Sequence, residues 1–131
     1  REDYKIEVRR DILNLALRNT DNHGRNSAVL RSGDQIALSP LFDFAPMFLD
    51  PEGIGRVSRW EDEAPGRQPD WRAVVAKFED MLPPVASIPW LAGLGAKVRR
   101  LPATMRDCRV DEDIIERLSR WIEEVAAGLI D

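Results

Sequence analysis

Histidine, cysteine and tyrosine each occur once in the 131 residues, and the first two scarcities close classes of function. Cys108 has no partner for an internal disulfide. With His23 as the sole imidazole, no multi-ligand zinc site of the usual thiolate and imidazole kind can be built. A cytoplasmic, reducing compartment is the natural expectation. No run reaches the roughly 18 apolar residues of a membrane span, and the opening REDYKIEVRR is too charged to read as a signal peptide. Basic residues are also in deficit: 19 Lys and Arg against 23 Asp and Glu leave a net charge of −4. A dedicated nucleic-acid binder needs a cationic stripe to replace phosphate counterions, so direct binding to nucleic acid is not expected, nor is binding to a membrane.

What is present reads as an ordinary globular chain. The 44% hydrophobic and 32% charged residues suit a single domain over residues 1–131 with a core of its own. The segment from Arg1 to Asn19 places Tyr4, Val8, Ile12 and Leu15 at spacings of four, four and three, which predicts a helix. It has neither an initiator methionine nor a clear N-cap, so the chain is expected to be a fragment of a longer protein. Ser27 to Leu30 and Gln35 to Ser39 predict two short strands joined by RSGD, a small hairpin. Residues 40–70 are loaded with proline and glycine and hold no period. Asp70 is placed to cap a helix carrying Trp71, Val74, Val75, Phe78 and Leu82, ended by the prolines at 83 and 84. Leu91, Leu94, Val98 and Leu101 share a side of the next segment, where Gly93 and Gly95 weaken the helical signal. From Asp111 the run Ile114, Ile115, Leu118, Trp121, Ile122, Val125 and Ala126 predicts a final helix, with Gly128 at its stop. The fold class expected is mainly α with one small β-hairpin.

The chemistry concentrates in NTDNHGRNSAVL, Asn19 to Leu30. Taken alone, the stretch reads as a helix end and a turn, because Asn, Asp and Gly tolerate such geometry and bond to local backbone. Spacing adds a second reading. Asp21 and Asn26 form D-x-x-x-x-N, the hairpin follows, and Asp43 then sits between Phe42 and Phe44. Phosphoryl transfer needs one carboxylate to take the hydrogen bond of the attacking hydroxyl, and a carboxylate with an amide oxygen to hold magnesium. A hairpin folds its ends together, so Asn26 and Asp43 are expected to approach closely enough to share a cation. A carboxylate between two phenylalanines is expected to incur a desolvation cost unless a cation or hydrogen-bond donors compensate it. Trp60 and Trp71 are candidates for a groove, although Trp71 shares a helical face with Val74 and Phe78 and suits a core. Arg99, Arg100, Arg106 and Arg109 read as a solvated basic face.

Thr20, Asp21, His23, Asn26, Leu38, Pro40, Phe42, Asp43 and Pro46 together resemble the C-terminal catalytic lobe of HipA-type serine/threonine kinases, with their T-D-x-H-x-x-N loop, hairpin and L-x-P-x-[YF]-D segment. The resemblance is dense from Asn14 to Pro46. It implies the helical C-terminal lobe of a protein-kinase-like fold, with Asp21 as catalytic base and His23 beside it in the catalytic loop. Asn26 and Asp43 would be the magnesium ligands, and thereby bind the cofactor Mg²⁺–ATP. It further implies a protein substrate bearing Ser or Thr and an antitoxin-type DNA-binding protein as partner. The family's nucleotide-binding portion, with a phosphate-covering loop and a lysine, does not fit in the 20 residues before Asp21: no glycine precedes Gly24, and Lys5 lies on the predicted helix. The isolated chain is therefore expected to be inactive. A non-catalytic helical interaction module and a different magnesium-dependent phosphotransferase or hydrolase are the alternatives that the residues leave open.

Overall fold

A computed structural model describes residues 3–61, 63–78, 80 and 84–131, with the backbone alone for Pro84 and Val85. Helix α1 (Asp3–Ala16) buries Tyr4, Val8, Ile12 and Ala16, one residue per turn along one stripe. It stops short of Asn19 because Arg18 turns left-handed, at φ 57°. The Asn19 amide then bonds back to the Asn14 carbonyl at 2.9 Å and the Arg18 amide to Leu15 at 3.3 Å. These are the paired bonds of a Schellman stop, with arginine where glycine is usual.

The hairpin forms from β1 (Val29–Ser32) and β2 (Gln35–Leu38), antiparallel, with Val29 opposite Leu38 and Ser32 opposite Gln35. Its loop is the pair Gly33-Asp34, Gly33 at φ 60°. The first strand thus lies two residues nearer the turn than the expected Ser27 to Leu30. The reason is local: the Ser27 amide is bonded to Gly24 at 3.3 Å and belongs to the turn before the strand. The bond from the Ser39 amide to the Ala28 carbonyl, at 2.8 Å, extends the pairing by one rung.

Residues 40–70 are irregular apart from one turn of 3-10 helix at Met47–Leu49. Helix α2 (Trp71–Ala76) starts as the sequence implies, with Asp70 Oδ1 accepting from the amides of Arg72 at 3.0 Å and Ala73 at 3.1 Å. It ends earlier than expected. The amides of Lys77 and Phe78 bond to Val74 and Val75, three residues back, which tightens the chain out of the α geometry. Phe78 there stacks on Tyr4, ring centroids 4.9 Å apart. Leu82 and Pro83 lie outside the described residues, and Pro84 opens α3 instead of closing α2.

Helix α3 (Pro84–Arg99) runs through Pro89, Gly93 and Gly95 despite their low propensity. Gly95 explains part of this. A Cβ there would lie 2.7 Å from Ile130 Cγ1 and 3.0 Å from the Ala126 carbonyl, so its absence lets the last helix close up. After α4 (Leu101–Asp107) and a second Schellman stop at Arg109, φ 61°, helix α5 (Glu112–Ile130) crosses the molecule and packs against α1, α2, α3 and α4. It does not stop at Gly128, because Leu129 is buried and holds the last turn to the core. Trp71, Ile12, Leu91, Ile115 and Ile122 are the largest fully buried side chains of that core. Among the described residues, no helix is long and apolar enough to cross a membrane. The architecture is thus mainly helical with one antiparallel hairpin.

Candidate functional site

The Schellman stop of α1 aims the chain into the polar loop. Asn19, 6% exposed, donates from Nδ2 to Asn14 Oδ1 at 2.9 Å and fixes the loop's first residue to the helix. At its far end Asn26 donates from Nδ2 to the backbone carbonyl of Asp21 at 2.9 Å, while its own amide bonds to His23 at 2.9 Å. The D-x-x-x-x-N spacing therefore closes on itself: five residues, with one 3-10 turn at Gly24–Asn26, bring the amide side chain back to the aspartate's backbone. Because Nδ2 is committed, Asn26 Oδ1 is left as the acceptor end and takes no hydrogen bond among the described residues.

His23 Nε2 lies 3.4 Å from Asp21 Oδ1, both side chains about a third exposed. His23 Nδ1 is buried and has no partner among the described residues. Asp21, His23 and Asn26 line one pocket of about 240 Å³, together with Asp11, Phe42 and Trp60. Asp43 directly follows Phe42 but does not itself line the pocket. It is exposed, so the desolvation expected between two phenylalanines is corrected: Phe42 is itself 42% exposed, and water reaches the carboxylate. Its backbone is unusual, at φ 53°, a left-handed conformation that Asp tolerates better than most residues.

A cluster that the sequence reading did not identify holds this loop in place. Arg56 donates from Nη1 to Asp11 Oδ1 at 2.6 Å and from Nη2 to Asp11 Oδ2 at 2.7 Å, and Nε and Nη2 reach the Glu63 carboxylate at 2.9 and 2.8 Å. Trp60 Nε1 donates to Asp11 Oδ2 at 2.7 Å. Asn22, next to Asp21, donates from Nδ2 to the Ser58 carbonyl at 3.1 Å and approaches Asp11 Oδ1 at 3.4 Å. Burial opposes the charge on Arg56, but the hydrogen bonds and attraction of Asp11 and Glu63 outweigh it and hold the guanidinium above its ordinary range. One signal was available: Tyr4, Val8, Asp11 and Leu15 fall at spacings of four, three and four, so Asp11 stands on the packed stripe of α1. Arg10 on the same helix donates to the Ser39 carbonyl and ties the end of the hairpin to α1.

The profile of the HipA-like C-terminal domain matches residues 1–122. The chain belongs to that family. No curated protein and no solved structure matches it. In this HipA-like domain, a carboxylate residue, the histidine and an amide residue of the loop, Asp21, His23 and Asn26, line one pocket. Such a set can accept a proton and supply hard oxygen donors. Of the other sequence candidates, Trp71 is core at 1% exposure, and Trp60 lines the pocket. Two of the four late arginines are engaged across helices, Arg99 with Glu123 and Arg106 with Glu112, on an exposed face.

Proposed function

We propose that this domain is the catalytic-loop lobe of a HipA-like serine/threonine protein kinase. The observation that carries the reading is the pocket shared by Asp21, His23 and Asn26, with Asn26 latched to the Asp21 backbone at 2.9 Å. In this reading Asp21 accepts the hydrogen bond, and then the proton, of the substrate's hydroxyl. His23, 3.4 Å away, restrains the carboxylate's orientation. Asn26 Oδ1 and the Asp43 carboxylate are hard oxygen donors without other partners among the described residues, and they suit magnesium, which takes one or two protein ligands alongside phosphates and water. The ion, when bound with ATP, neutralises the phosphates. The hairpin supports this pairing, since its closing rung joins Ala28, two residues beyond Asn26, to Ser39, four before Asp43.

In this reading ATP turnover also requires a nucleotide-binding portion with a phosphate-covering loop and a lysine. An antitoxin-type DNA-binding partner is part of the same reading. The test is a pair of variants in such a full kinase. Asp21→Asn should leave Mg²⁺–ATP binding intact and lower phosphate transfer by about 10² to 10⁴, the usual contribution of a general base. Asp43→Asn should weaken nucleotide binding in the presence of magnesium as well as transfer. The assignment fails if Asp43→Asn binds Mg²⁺–ATP as the parent does while Asp21→Asn loses it.

A further inference from the structure

A second cleft, of about 410 Å³, shares Asn14, Asn19, Arg56 and Arg59 with the pocket that holds Asp21. Thr20, the residue before Asp21, also lines it, so the cleft adjoins the catalytic loop. Its charge is unbalanced. Glu63 and Glu124 stand in its wall, but each is already paired, with Arg56 at 2.8 Å and Arg120 at 2.8 Å. Arg18, Arg59 and Arg67 line it without any ion pair among the described residues. Arg18 lies over the Trp121 ring, 4.1 Å from its centroid, and Arg59 bonds to the Arg56 carbonyl alone, at 3.4 Å. Three uncompensated cations therefore gather on one cleft of a chain whose net charge is −4.

The chemistry of the remaining wall narrows the ligand. Leu15 and Ile54 line the cleft together with the arginines, so its wall alternates apolar surface with cationic groups. A small inorganic anion uses only the cations, whereas an acidic peptide brings several carboxylates for the separate arginines and apolar stems for the surface between them. Trp121, 36% exposed beneath Arg18, adds an apolar surface suited to the stem of a glutamate.

We propose that this cleft docks an acidic stretch of the protein substrate, with Arg18, Arg59 and Arg67 reading its carboxylates while the phosphoacceptor hydroxyl reaches Asp21 across the shared wall. The assignment of the peptide as substrate rests on the kinase reading above; the binding itself does not. The test uses the purified chain and two serine peptides of equal length, one with glutamates and aspartates after the serine and one with lysines in their place, followed by calorimetry. The acidic peptide should bind roughly tenfold or more tightly, three partly exposed charge pairs being worth about that much together, and the advantage should shrink as salt is raised. Arg59→Glu with Arg67→Glu, both on exposed side chains, should abolish the preference while circular dichroism stays unchanged. Equal affinity for the two peptides, or an unaltered preference in the double variant, overturns the proposal. So does complete displacement of the peptide by inorganic phosphate at equal concentration, which would mark a simple anion site. The readout needs neither nucleotide nor turnover, so a failed Asp21→Asn experiment counts against the kinase reading and leaves this result standing.

Discussion

Arg56 and Asp11 stand 45 residues apart in the chain and meet through two parallel hydrogen bonds, at 2.6 and 2.7 Å. Their side chains are 11% and 13% exposed, and that of Glu63, on the other side of the guanidinium, is 2% exposed. The cluster is what gives the irregular region between the hairpin and α2 a fixed position against α1. Helical packing cannot do so, because none of the described residues between 51 and 69 is helical.

Removing the cation should therefore cost more than a surface ion pair. Arg56→Met leaves two carboxylates facing each other with little access to water, and breaking a buried pair from one side costs about 3 to 5 kcal/mol. Urea denaturation should show that loss, and Trp60, whose indole N–H is held by Asp11, should change its emission before the main transition. Arg56→Lys should recover a small part, since an ammonium cannot fork onto both acids. A loss under about 1 kcal/mol, the usual ceiling for an exposed pair, would count against the cluster as the anchor.

Two glycines of α3 should respond in opposite senses. Gly95→Ala puts a methyl 2.7 Å from Ile130 Cγ1 and 3.0 Å from the Ala126 carbonyl, and the backbone oxygen cannot swing aside, so about 1 to 3 kcal/mol should be lost to overpacking. Gly93 is exposed with nothing within 4 Å of the added carbon. Gly93→Ala should gain about 0.5 to 1 kcal/mol from helix propensity alone. Thermal melts of the two variants side by side decide the matter.

How far the sequence was legible depends on how local each cause was. Helix α5 was readable from Ile115 to Ala126 because one apolar stripe repeats over many turns, and Asp70 was readable as a cap because the cap is bonded two and three residues away. The end of α2 was not. Phe78 leaves the helix to meet Tyr4, a contact across 74 positions that no window along the chain contains. Gly95 lowered the helical signal of α3 for the same reason that α3 needs it, since its partner is α5. Within the candidate site, motif spacing pointed to Asp21, Asn26 and Asp43, and the family resemblance to His23; Asp21, His23 and Asn26 line one pocket, and Asp43 does not. Asp11 was hidden by type, a carboxylate on a stripe counted for its apolar members, and Arg56 by distance.

The pairs that join α5 to its neighbours predict a weak acid limb. A hydrogen bond from Arg99 holds the Glu123 carboxyl below its ordinary range, and Arg106 does the same for Glu112. A carboxyl with a depressed folded-state value contributes stability above its unfolded value, about 4.3, and loses that contribution as the pH falls through the lower folded one. All four groups are exposed, so the effect should be small and should vanish in high salt. Stability curves from pH 5 to 2 should flatten in Glu123→Gln at low salt and coincide with the parent's at 1 M salt; a steeper limb in the variant would contradict the assignment.

Asn22 offers the most direct test of how the loop is held. It donates to the Ser58 carbonyl at 3.1 Å and reaches toward Asp11, so it ties the residue beside Asp21 to the segment that Arg56 anchors. Asn22→Ala removes that tie without touching the core, and one such bond contributes about 0.5 to 1.5 kcal/mol. The Asn26 amide, bonded to His23, reports on the loop. Its hydrogen exchange should quicken by up to about tenfold through local opening while the amides of α5 keep their protection. Faster exchange throughout α5 would mean that Asn22 serves global stability instead. If the proposed kinase roles hold, the same variant in a full kinase should lower kcat and leave the affinity for Mg²⁺–ATP near that of the parent, because the proposed ion ligands Asn26 and Asp43 are untouched and only the aim of Asp21 is lost.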